Sequence, residues 1–171
     1  MNKKLIIKKV NSYVKDKLYG EGSGHDWWHT DRVRKLALKI AKKENADLFI
    51  IELAALLHDV YDWKFYKKTV RKNALEKLLK KYKTKDEIIT QVLYIVENIS
   101  YKGGTNKVKM KNLEGQIVQD ADRLDALGAI GIARTFTYGG KISRQMYDPK
   151  IKAKKYKNLT EYKKYKKIIQ L

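Results

Sequence analysis

Residues 47–59 read Asp47-Leu48-Phe49-Ile50-Ile51-Glu52-Leu53-Ala54-Ala55-Leu56-Leu57-His58-Asp59. Between Asp47, a residue type that caps helix N-termini, and the polar pair at the end, almost every position is apolar. A helix that is apolar nearly all round belongs at the centre of a bundle, and the flanking segments predict the helices around it. Leu5, Ile6, Val10, Tyr13, Val14 and Leu18 recur at helical spacing between Asn2 and Tyr19. A second helix is predicted from Asp26 to Lys43, with Val33, Leu36, Ala37 and Ile40 as its buried stripe. Further helices are expected at 67–82, at 84–99 with Ile88, Val92, Ile95, Val96 and Ile99 inward, and from Leu113 to Ala126. Gly20–Gly24 and Tyr101–Asn106 read as loops, and Gly128 and Gly131 as a break or a close approach. Gly139-Gly140 and Tyr147-Asp148-Pro149 read as turns before a Lys/Tyr-rich tail. With Pro149 the one proline and no convincing alternating strand or repeat, the predicted fold class is an all-α bundle, one domain over residues 1–171.

Composition narrows the function. The absence of cysteine excludes disulfides, thiolate nucleophiles, zinc fingers and iron–sulfur clusters. No apolar run approaches the roughly 18 residues of a membrane span, and the start, MNKKLIIKKVNSYV, does not read as a signal peptide, so the expectation is a soluble, cytoplasmic protein. The 39 Lys and Arg outnumber the 19 Asp and Glu, for a net charge of +20. Residues 1–20 carry a net +5 and residues 141–171 a net +9, leaving a nearly balanced middle. Such basic ends suit either a nucleic-acid footprint or a lysine-rich solvated surface, and the same field would steer a phosphorylated substrate.

The polar residues of the middle carry the chemistry. Its three histidines are His25, His29 and His58, the last followed directly by Asp59. Neighbours on a regular helix point about 100° apart, so His58 and Asp59 can reach one ion only if the helix ends there. Two imidazoles with carboxylates suit Mn, Fe, Ni, Co or Zn, whereas Mg prefers more oxygens. Asp120, Asp122 and Asp125 fall in an otherwise apolar helix; they could cap, pair with Arg123, face water, or bind a metal, and Asp122 and Asp125 share a face.

Together these residues resemble a known family. His29, the pair His58-Asp59 and Asp122 match the H…HD…D signature of the HD-domain metal-dependent phosphohydrolases. The flanks agree as well, in Gly24-His25-Asp26-Trp27-Trp28-His29, in Ala54-Ala55-Leu56-Leu57-His58-Asp59, and in the run from Asp120 to Phe136. The likeness is to the small single-domain HD hydrolases and spans about residues 20–150. It implies an HD-domain helical bundle with a divalent metal ion, manganese above all, held by His29, His58, Asp59 and Asp122. Asp62, three residues beyond Asp59, matches an acidic position that serves the attacking water in several such enzymes. His25, Arg32 and Arg123 are then candidates for phosphate contact, and Asp26 and Asp125 for acceptors behind the ligand imidazoles. Help to a second metal is the alternative for His25, and support of a ligand carboxylate is the alternative for either arginine. Trp27 and Trp28 are expected to pack between helices, with base stacking as the alternative.

The implied activity is metal-dependent hydrolysis of a nucleotide, first of all nucleoside triphosphate pyrophosphohydrolysis. A phosphomonoesterase or phosphodiesterase acting on guanosine tetraphosphate or a cyclic dinucleotide is the alternative within the class. Outside it stands a basic nucleic-acid-binding helical module with a vestigial metal site. The expected partner is a small phosphorylated substrate with no membrane, and the Tyr/Ile positions of the tail offer a homodimer contact.

Overall fold

The structure is a computed structural model that describes residues 2–61, 67–106, 108–152 and 156–164, the side chains of 162–164 excepted. Among the described residues there are eight α-helices: α1 Lys3–Leu18, α2 Trp27–Ala41, α3 Leu48–Leu57, α4 Lys68–Lys81, α5 Asp86–Asn98, α6 Leu113–Leu124, α7 Gly128–Lys141 and α8 Leu159–Lys164. A 3-10 turn, Lys102–Gly104, joins α5 to the segment before α6. Among the described residues there is no strand.

Helix α3 is the axis. Its N-cap Asp47 accepts from the backbone N–H groups of Phe49 and Ile50 at 2.8 and 3.4 Å, two of the donors a helix start leaves unpaired. Eight of its ten residues are buried, and α1, α2, α5 and α6 all pack against it. Helix α1 contributes Ile6, Val10, Val14 and Leu18, each four residues from the last and so on one face. Helices α2 and α6 also pack on one another, which brings their polar positions together over the C-terminal end of α3. Helix α4 lies on α5.

Two local readings are corrected. Gly139-Gly140 is not a turn but the last part of α7. The chain reverses three residues later: Ser143 takes the left-handed conformation at φ 55°, and the N–H groups of Ser143 and Arg144 return to the carbonyls of Gly140 and Gly139 at 3.0 and 2.8 Å. That is a Schellman closure, and near a helix end a glycine costs little. Trp27 is buried in the core, but Trp28, one residue round the helix, is 55% exposed instead of buried between helices of the described residues. Gly131 is a close approach: a Cβ there would stand 2.0 Å from the carbonyl oxygen of Ala126.

Candidate metal centre

Asp26 caps α2, its Oδ1 accepting from the backbone N–H of His29 at 2.8 Å. The cap starts the helix so that His29 lies one turn in, fully buried and facing the end of α3. Helix α3 stops at Leu57, with His58 as its C-cap and Asp59 beyond it. This ending frees the consecutive side chains from the 100° spacing of a helix, and both turn to His29. The Nε2 atoms of His29 and His58 are 3.1 Å apart, and Oδ2 of Asp59 lies 3.3 and 3.4 Å from them. From the last turn of α6, Oδ1 of Asp122 comes within 3.4 Å of the first imidazole nitrogen and 3.8 Å of the second.

The other ring nitrogens fix the tautomers. Nδ1 of His58 donates to the carbonyl oxygen of Ala55 at 2.7 Å, an atom that can only accept. Nδ1 of His29 donates to Oδ2 of Asp125, also at 2.7 Å. Each neutral ring then presents a lone pair at Nε2, so two nitrogens and two carboxylates converge as acceptors with no donor between them. Oδ2 of Asp59 is buried without a hydrogen-bond partner among the described residues. Such a cluster requires a cation.

A proton or a metal ion would answer. Burial opposes a charge on His29, but the carboxylates of Asp122, Asp125 and Asp59 outweigh it and push the imidazole up to about 10. Burial alone would raise Asp59, yet the imidazoles of His58, His25 and His29 draw its carboxyl well below the usual range. His29, His58 and Asp59 form a group with one donor atom each, close enough to share an ion, and Asp122 adds a fourth. Two imidazole nitrogens 3.1 Å apart are close enough to serve as ligands of one ion. The residues present fit a divalent metal ion.

Behind this group lies a support, of which the sequence offers Asp125 and Arg32 as candidates but not Arg134. Asp125, the C-cap of α6, accepts from both Nε and Nη2 of Arg32 at 2.7 and 3.0 Å while it holds His29. Arg134 of α7 adds Nη1 to the same carboxylate at 3.2 Å and donates from Nε to the carbonyl of Gly24 at 2.6 Å. Gly24 has φ 80°, and a Cβ there would press on Arg134 at 3.3 Å, so α7 seats directly on the loop before α2. No signal in the sequence assigned Arg134 a role, because its partner depends on this long-range contact.

The remaining candidates are spread more widely. The ring of His25 lies 6.0 Å from that of His29 and meets Tyr138 of α7 edge-on at 5.9 Å. Arg32, a candidate for phosphate, has its guanidinium on Asp125. Asp26 holds the backbone of His29, whereas the imidazole goes to Asp125. Arg123 is exposed on α6. Asp62 lies outside the described residues, as does Trp63.

A family model described as the HD domain matches residues 27–127, which hold His29, His58, Asp59, Asp122 and Asp125. YpgQ of Bacillus subtilis is 42% identical over 142 residues, spanning 81% of this chain and 69% of that protein. A crystal structure of YpgQ in complex with ADP is similar to this one with a TM-score of 0.69 and 37% identity, covering 86% of this chain and 72% of that one. A Lactobacillus plantarum structure reaches a TM-score of 0.87 at 34% identity, covering 96% of this chain and 77% of the other. An HD-superfamily hydrolase from Bacillus thuringiensis is 44% identical with a TM-score of 0.67, covering 88% and 73%.

Proposed function

The chain belongs to the HD-domain family, whose relatives include HD-superfamily hydrolases, and from that premise we propose that it is a divalent-metal-dependent phosphohydrolase of nucleotides, releasing pyrophosphate from nucleoside triphosphates. The observation that carries this reading is the pair of imidazole Nε2 atoms 3.1 Å apart, with both Nδ1 atoms engaged elsewhere and carboxylates on either side. The presence of ADP in the YpgQ complex supports a nucleotide as the ligand class.

A divalent ion held by His29, His58, Asp59 and Asp122 would polarise a phosphoryl oxygen and acidify a water. Asp125 keeps the proton of His29 on Nδ1, so that Nε2 faces the site as a lone pair. Arg32 and Arg134 hold that carboxylate in place from two helices. His25 stands beside the centre as a donor for a phosphate oxygen, and Asp62 takes the proton of the attacking water. In the net reaction, water oxygen bonds to the α-phosphorus as the bond from that phosphorus to the bridging oxygen breaks. A nucleoside monophosphate and pyrophosphate are the products.

The test is phosphate and pyrophosphate release with Mn²⁺ from a panel of ribo- and deoxynucleoside triphosphates, nucleoside monophosphates, guanosine tetraphosphate and a cyclic dinucleotide. Metal-dependent pyrophosphate release from triphosphates supports the reading. Release of phosphate alone, or turnover confined to the last two substrates, would move the assignment to a monoesterase or diesterase.

A further inference from the structure

Helix α7 ends in a cation that the site described above does not use. Arg144 follows the Schellman closure, its backbone tied at 2.8 Å to Gly139, so its origin is fixed. Its guanidinium lies 5.8 Å from the centre of the Tyr138 ring. Its Nε is buried without a hydrogen-bond partner among the described residues. The other cations of α7 are matched: Arg134 by Asp125 and Lys141 by Glu21. A guanidinium cannot shed its proton and carries five N–H donors, so this cation is chemically suited to an anionic acceptor.

Its surroundings say where that acceptor comes from. Arg144 stacks on Tyr138, Tyr138 meets His25 at 5.9 Å, and His25 meets His29 at 6.0 Å. These contacts follow one another from the metal centre toward the end of α7. Resting on the triphosphate reading above, we infer that Arg144 is the distal anion subsite, receiving the β- and γ-phosphates of the substrate and the pyrophosphate that leaves.

Binding of inorganic pyrophosphate to the manganese-loaded protein tests this. Arg144→Gln should weaken it roughly 10- to 100-fold, the range for a lost charge-assisted hydrogen bond, and leave manganese affinity unchanged. Unchanged pyrophosphate affinity in the variant overturns the proposal, and so does an equal loss of manganese and pyrophosphate. Should the glutamine variant not fold, Arg144→Lys carries the test: a several-fold loss of pyrophosphate affinity alone supports the subsite, and no loss overturns it. Because pyrophosphate itself is the probe, the result reads Arg144 whether or not the wild type turns over a triphosphate. Release assays on triphosphates read the hydrolytic assignment separately.

Discussion

Nδ1 of His29 lies 2.7 Å from Oδ2 of Asp125, a residue 96 positions further along the chain. That one contact joins the start of α2 to the end of α6, sets the tautomer of His29, and gives Arg32 and Arg134 a common anchor.

Asp125→Asn is therefore expected to weaken manganese binding by about 10- to 100-fold while the bundle remains folded, the usual effect of losing a partner behind a ligand imidazole. Titration of the metal-free variant, with its helical content followed in parallel, checks this. Wild-type affinity would mean that Asp125 does not orient the ring.

The same groups give the metal-free protein a definite pH response. His29 is raised from its ordinary 6.5 to about 10, so its stabilising contribution is complete below about pH 6.5 and is lost as pH climbs toward 10. Asp125, which burial alone would raise, is held well below the carboxylate range by His29 and Arg32. Its contribution is present above its ordinary 3.8 and is lost on acidification below that value. Melting temperatures of the metal-free protein should thus fall between pH 7 and pH 9.5, and bound manganese, which takes the place of the proton, should flatten that decline.

Gly131→Ala is expected to destabilise the protein by about 1–3 kcal/mol, as overpacking does. The added methyl would meet the backbone carbonyl of Ala126, which cannot swing aside as a side-chain tip could. Chemical denaturation measures the loss. Gly140→Ala, where a Cβ meets nothing within 4 Å, is the matched control.

Asp62→Asn should leave metal bound and slow hydrolysis by about 10²–10⁴, the range for one acid–base group. Single-turnover kinetics with metal content measured on the same sample distinguish this from loss of a ligand.

How far the sequence carried can be read from these residues. The run Leu48–Leu57 announces a buried axis because almost every position is apolar, and the His58-Asp59 pair at its end stands out against that background. Periodicity placed α1, α2, α5 and α6 for the same reason. The helix α7 was less legible: its glycines suggest breaks, and Gly131 and Gly139 are there because neighbours come close or because the helix is ending. Asp125 could be picked out as an acid near the site, but Asp26 and Asp125 could not be told apart. Only the folded chain shows that one caps a backbone and the other holds an imidazole. Arg134 and Tyr138 escaped because their partners lie across the fold, on Asp125, Gly24 and His25, where no local pattern points.

The central claim is that His29, His58, Asp59 and Asp122 share one divalent ion. Its most direct test is manganese binding to the wild type and to Asp59→Ala, followed by the electron paramagnetic resonance signal of the free ion. The account predicts tight binding by the wild type and its loss in the variant. Equal binding by both proteins would contradict it.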